Sequence, residues 1–481
     1  MRSRFQCRYP VLAGGVPFRN TIPGASRYVE QMTLANVSRY DESAASRRGG
    51  HAVVVGASMA GLVAARAIAD AFDRVTVLDR DALVDDPVTR RGVPQGHQPH
   101  VLLEAGRATL SDLFPGFAEE LLSNGGLVLD WTNDLIHYED GGYLAPGPRR
   151  RPMYAASRPL FEAVARRCLA SVDGVRLRPE CRFVDYQLAD DGTAVDGVVV
   201  ESGGPDDTST LPADLVVDAT GRTSRTPAWL ADHGFERPPE EEVTVDVRYA
   251  TAVVDRPPGD RRAFFLPPTP PRTRGGGAFP VEDDRWLVTL QGVHGDDPPT
   301  EPGELSEFAA SLPVDHLARL LDEREWVGDG VERYPFPSNV RRYYEHLDRF
   351  PDGLVVLGDA VASFNPVYGQ GMSVASLEAL VLHHTLADGG LDGLGARFFD
   401  RASDVVDVAW SMAVGSDLGY AATTGSQSTV ESLFTRYLAR LVRTAQDDGR
   451  VADAYGRVVT MEEAPTSLLR PAVVARVLSP Q

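Results

Sequence analysis

The residues with the clearest chemical use are Gly56, Ser58 and Gly61 in "VVVGASMAG", with Asp79 following 23 residues after Gly56. A glycine at a strand end permits a tight turn. A small residue next lets backbone approach a pyrophosphate, and a further glycine lets the following helix pack on the strand. The helix N-terminus offers unpaired N–H groups to phosphate, and Asp79 would accept hydrogen bonds from a ribose. Together they read as a dinucleotide fingerprint with Ser58 in the middle glycine's place; a plain βαβ packing unit is the alternative. The stretch is not a nucleophile elbow, because Ala60 stands where that motif needs glycine. A second permissive turn, "GDAVASFNPVYGQGM", runs from Gly358 to Met372 and carries Asp359, Pro366, Gly369 and Gly371. It reads as another cofactor-facing strand end, with a structural capped turn as the alternative.

The elements that must position these residues are legible around them. Val53, Val54 and Val55 form an apolar run suited to a buried parallel strand. Leu62, Ala65, Ala69 and Phe72 fall on one helical face, and Val75 to Leu78 make a second strand ending at Asp79. Late in the chain, Leu354 to Leu357 read as a strand and a long helix pattern starts near Gly371. "VRLRPECRFVDYQLADDGTAVDGVVVESG" alternates like a short antiparallel meander. "VTVDVRYATAVV" and "RWLVTLQGV" suit a second sheet covering the site. Pro267 to Gly277 reads as a mobile loop from its Pro and Gly content, and the last ninety residues read as mainly helical.

Four motifs carry a family resemblance: "VVVGASMAG", "RRGVPQGHQPHVLL", "DLVVDATGRTSRTPAWL" and "GDAVASFNPVYGQGM". Over about 50–388 the chain resembles the flavin-dependent monooxygenases of the para-hydroxybenzoate hydroxylase fold. It is most similar to the bacterial branch that epoxidises polyether and polyene precursors. The resemblance implies an α/β fold: a Rossmann-like FAD-binding domain of the GR2 type, an interleaved β-sheet substrate domain and a helical C-terminal region. The expected boundaries are 49–122, 152–232 and 346–388 for the FAD domain, 123–151 and 233–345 for the substrate domain, and 389–481 for the helical region.

By the resemblance, Gly56, Ser58 and Gly61 would lie on the FAD pyrophosphate, with Met59, Ala60 and Arg80 beside them and Asp79 on the adenosine ribose. Arg158 would approach the phosphates and Asp359, after Gly358, would hold the ribityl chain. Pro366, Gly369, Gln370, Gly371 and Met372 would lie beside the isoalloxazine ring, with Asp218 and Gly221 on a second flavin-side loop. A reduced flavin is an anion, and the helix N-terminus near Gly371 would face it with partial positive charge. The implied reaction passes one oxygen atom from a flavin C4a-hydroperoxide to an alkene or aromatic molecule, with NAD(P)H or a separate reductase as electron donor. A flavin-dependent reductase of isoprenoid double bonds and a non-catalytic flavin redox sensor are the alternatives. Where relatives read Arg-His, this chain has His97 and Gln98. That removes a fixed cation, since a histidine at its ordinary pKa of about 6.5 is mostly neutral near pH 7.

Candidate walls of the substrate pocket are Phe364, Tyr368, Tyr249 and Trp286, with Phe264 and Phe265 also considered. No paired carboxylates or Ser-His-Asp set stands out, so no catalytic side chain is assigned, and no metal site is expected. The net charge of −20, with no lysine, argues against nucleic-acid binding and fits a protein soluble in concentrated salt. No apolar run is long enough to span a membrane. Three scattered cysteines suggest a reducing, cytoplasmic setting. Residues 1–48, with eight arginines and three acids and no clear period, read as a mobile tail, or as an early start codon with Met32 as the natural one.

Overall fold

A computed structural model describes residues 37–204, 207–328, 330–424 and 429–479. The expected tail lies outside the described residues as far as residue 36, the candidate start Met32 included. Its remainder, 37–48, is docked, which corrects that part of the expectation. Val37 and Tyr40 pack on the main core, Arg39 Nε donates to Asp112 Oδ2 at 2.7 Å, and His383 Nε2 lies 3.0 Å from the Asp41 carbonyl oxygen.

Five parallel strands form the first sheet, in the order Leu354–Val356, Leu215–Asp218, Gly49–Val55, Phe72–Leu78, Val175–Arg178. Val53 and Val54 are wholly buried, as a parallel strand covered on both faces requires. Helix Met59–Ala69 packs against helix Gly371–Gly389 on one face. The meander Cys181–Leu188, Val195–Ser202, Thr208–Pro212 packs on the other side. The meander is therefore shorter than expected, because Val175–Arg178 joins the parallel sheet as its edge. Phe72 likewise opens a strand instead of closing the preceding helix.

Above this sheet stands a roof of eight strands drawn from residues 135–143, 240–293, 332–342 and 362–363. Its outer face carries helices Pro302–Ala310 and His316–Glu323, with Leu305, Leu317 and Leu290 in a second core. Strand Leu127–Asp130 pairs with Pro152–Ala156 and not with the roof, so the expected substrate piece 123–151 divides between two sheets. The expected mobile loop Pro267–Gly277 is also corrected at its end. Arg274–Val281 is a central roof strand, and a Cβ on Gly276 would sit 2.6 Å from Leu317 Cδ1. Close packing, against Leu317 at Gly276, Pro268 at Gly275 and the Phe264 carbonyl at Gly277, accounts for the glycines there. Residues 389–479 are mainly helical, in Leu394–Asp417, Thr429–Ala445, Gly449–Val459 and Pro471–Leu478.

Candidate functional site

One cavity of about 790 Å³ lies between the parallel sheet and the roof, and both glycine turns open on it. At the early turn, Gly56 has φ +104° and a Cβ there would lie 2.6 Å from the Ala219 carbonyl oxygen, so only glycine fits. A Cβ on Gly61 would lie 1.8 Å from the Gly56 carbonyl oxygen; its role is helix-to-strand packing, and it does not line the cavity. Ser58, the departure from the fingerprint, has φ −88° and ψ −180°, a backbone any residue adopts. Its Oγ donates to Glu162 Oε1 and accepts from Arg158 Nη2, each at 2.8 Å.

Glu162 is the hub of a buried charge cluster that the sequence reading did not single out. It is 3% exposed and takes Arg158 Nε on Oε1 at 2.9 Å and Arg90 Nη2 on Oε2 at 2.6 Å. Burial pushes its carboxyl pKa up, and the Arg158 and Arg90 guanidiniums outweigh that and hold it below the usual range. Arg90 also donates to the Ala57 carbonyl at 3.1 Å and lies 3.2 Å from Asp79 Oδ2. Asp79 accepts from the Ala57 N–H at 2.8 Å and the Asp81 N–H at 2.9 Å, so it braces the glycine turn while lining the cavity. A carboxylate offers about four acceptor positions, which leaves capacity for a ligand hydroxyl. The signal for Glu162 was its i,i+4 spacing from Arg158.

At the other end, Asp359 lines the cavity, and burial raises its carboxyl pKa against the pull of Arg158 and Arg222. Beneath it, Glu378 accepts the Gly358 N–H at 2.9 Å, and burial pushes its pKa up to about 8. Gly358 itself does not line the cavity. The loop that follows is tied to the C-terminal region through Asp417, which is 1% exposed. Asp417 accepts from Asn339 Nδ2 at 2.7 Å, Asn365 Nδ2 at 3.0 Å and the Tyr368 hydroxyl at 3.4 Å. Burial raises its pKa to about 6. Asn365 Oδ1 in turn accepts the Tyr249 hydroxyl at 2.9 Å.

Of the expected site residues, Gly56, Ser58, Met59, Ala60, Asp79, Arg80 and Arg158 line the cavity on the early side. Asp218, Gly221, Asp359, Pro366, Gly369, Gly371 and Met372 line it on the late side, with Phe364 and Tyr249. Gln370 is turned away: its Nε2 lies 3.3 Å from the Val459 carbonyl. Tyr368 faces Asp417 and is not a wall. Trp286 is not a wall either. In strand Arg285–Val293, alternation sends Trp286, Val288 and Leu290 into the outer core and turns Thr289 and Gln291 to the cavity. Phe264 belongs to that outer core, whereas Phe265 lines the cavity. His97 is exposed and outside the cavity; Gln98 and His100 line it. Burial, with the nearby Arg158 charge, pushes the His100 pKa down to about 3, so the ring is neutral. Among the described residues no cluster of three or more His, Cys, Asp or Glu is placed to hold a metal ion, and no helix is long and apolar enough to cross a membrane.

The arrangement fits a dinucleotide with a redox ring. The space a Cβ on Gly371 would fill is open, and the first N–H groups of that helix have no partner within it. The flavin-dependent brominase Bmp2 shares the fold, with TM-score 0.61 at 16% identity over 86% of this chain and 94% of Bmp2. The expected Rossmann-like, interleaved α/β fold is thereby borne out. Kynurenine 3-monooxygenase of Salinispora tropica is 28% identical over 363 residues, 71% of this chain and 73% of that protein. No family model matches the chain. Protein Rv3254 of Mycobacterium tuberculosis is 35% identical over 350 residues, 70% of this chain and 73% of its own length. On the strength of that match, the chain belongs to the family of Rv3254.

Proposed function

We propose that the chain is an FAD-dependent monooxygenase acting on a small apolar organic molecule, by epoxidation or hydroxylation. The observation that carries this reading is the opening of both glycine turns, with Asp79 and Asp359, onto one cavity. The brominase fold and the likeness to a kynurenine 3-monooxygenase support it. The backbone at Ser58 and the Arg158 side chain would hold the pyrophosphate, Asp79 the adenosine ribose and Asp359 the ribityl chain. When bound, FAD supplies the redox and oxygen chemistry. The helix beginning at Gly371 directs partial positive charge at the ring end of the cavity, which favours an anionic reduced ring. Phe265, Phe279 and Phe364 give that end apolar walls that exclude water, and the Asp417 anchor fixes the loop carrying Phe364. The branch that epoxidises polyether and polyene precursors remains our reading for substrate type, with NAD(P)H or a partner reductase as electron donor and a cytoplasmic, salt-rich setting.

The test is direct. The purified protein is expected to carry FAD or take it up, giving a flavin absorption spectrum. In an oxygen electrode, terpenoid and aromatic candidates are expected to stimulate oxygen uptake with NADH or NADPH. Failure to bind FAD ends the proposal; turnover that persists without oxygen replaces it with a reductase.

A further inference from the structure

The roof half of the cavity is uncharged. Its lining side chains are Tyr249, Phe265, Phe279, Thr289, Gln291, Tyr334 and Phe336, with Ser363 at the edge strand. The charged lining side chains come from the cofactor-side pieces, and Arg222 among them bonds to the roof strand 332–342. Each of its terminal nitrogens makes a hydrogen bond there, Nη1 to the Ser338 carbonyl at 2.6 Å and Nη2 to the Ser338 hydroxyl at 2.7 Å. Among the described residues the roof strands themselves contribute no cation to the lining, and the Arg222 charge faces the Glu242 and Asp359 carboxylates.

Against this surface stands Gln98, 7% exposed and lining the cavity. Thr251 and Thr289 face each other on adjacent roof strands. Thr251 Oγ1 donates to Gln98 Oε1 at 2.6 Å, and Thr289 Oγ1 lies 3.5 Å from the same atom. In this orientation the amide oxygen faces the sheet. Its Nε2 is then a buried donor with no partner among the described residues. A buried donor without a partner costs more than an ordinary hydrogen bond returns, so a bound molecule that satisfies it gains the difference.

We infer that the roof end accepts a neutral, largely apolar or aromatic molecule that presents a carbonyl-type oxygen to the Gln98 amide. The inference rests on the flavoenzyme reading for which end of the cavity belongs to substrate. Gln98 would thus be a specificity-determining residue, at the position where this chain departs from the resemblance that its neighbours carry.

Three probes of nearly one shape test it: 2-acetylnaphthalene, 2-ethylnaphthalene and 2-naphthoate, titrated calorimetrically into the protein with and without added FAD. The ketone is expected to bind about tenfold more tightly than either of the others. Gln98→Leu is expected to bring the ketone down to the level of the ethyl compound. Gln98→Glu, which keeps the size but offers only acceptors, is expected to do the same. Equal or tighter binding of the naphthoate, no preference for the ketone, a preference that survives Gln98→Leu, or binding of none of the three overturns the inference. The wild-type comparison stands even if a variant fails to fold. FAD uptake is read separately by absorbance, so loss of the flavoenzyme reading is distinguished from loss of this one.

Discussion

Arg90 Nη2 stands 2.6 Å from Glu162 Oε2, and the side chains are 4% and 3% exposed. This ion pair joins the loop after the second parallel strand to the helix Arg158–Ala170, beneath the early glycine turn. Removing one partner of such a pair leaves a buried charge short of compensation, a loss of about 3–5 kcal/mol. Arg90→Leu is therefore expected to lower unfolding free energy by that order in urea titrations, with weaker FAD uptake. Glu162→Gln, which takes the carboxylate from both Arg90 and Arg158, is expected to cost at least as much. A single variant as stable as wild type would show that the cluster does not brace the turn.

The two fingerprint positions respond in opposite ways. Gly56→Ala adds a Cβ 2.6 Å from the Ala219 carbonyl at φ +104°, so it is expected to abolish FAD uptake or folding. Ser58→Gly restores the fingerprint's usual residue, yet it removes two hydrogen bonds to charged groups. It is expected to destabilise by about 1.5–3 kcal/mol while leaving FAD affinity within a few fold. A Ser58→Gly protein that is more stable than wild type, measured by urea midpoint at constant slope, contradicts this account.

The legibility of the site follows from the range of its interactions. Gly56 and the Gly358–Asp359 turn were readable because local backbone demands select glycine at strand ends, and Gly61 because the helix packs on the strand there. Arg158 was readable through the family resemblance, whereas Glu162, four residues on along the same helix, was not singled out. Nothing local marks Asp417, since its partners Asn339 and Asn365 lie on other elements. Trp286 misled because both faces of its strand are buried, and strand character alone does not say which face meets the cavity. The glycines at 275–277 misled because composition does not separate a mobile loop from a tightly packed strand.

Glu378 gives a pH dependence with a definite sign. Its pKa is raised from 4.5 to about 8 by burial, against the Gly358 N–H. The folded state thus holds the proton more tightly than the unfolded chain. The stabilisation is full below the unfolded value and is lost as pH rises through about 8. Asp417, raised to about 6, adds in the same direction at lower pH. Glu162, held low, acts oppositely and only in acid. Glu378→Gln keeps an acceptor for Gly358 without the titration. Between pH 5 and 7.5 it is expected to gain roughly 2–4 kcal/mol on wild type. Parallel pH profiles of the two proteins in urea would show that folding does not raise the Glu378 pKa.

Asn365→Asp probes the anchor of the late loop. The native amide donates to Asp417 Oδ1 at 3.0 Å and accepts from the Tyr249 hydroxyl at 2.9 Å. A carboxylate at 365 keeps the acceptor for Tyr249 but faces the Asp417 carboxylate in a buried site. Two like charges at that separation cannot both stay ionised, so one must hold a proton or the loop must open. At pH 5, where Asp417 holds its proton more readily, a shared proton can replace the lost amide donor. The variant is therefore expected to approach wild-type FAD affinity and thermal midpoint at pH 5, and to fall well below both at pH 8. The ratio of the two FAD dissociation constants, variant over wild type, is expected to rise at least tenfold across that interval. A ratio independent of pH would mean that the loop is positioned without Asp417.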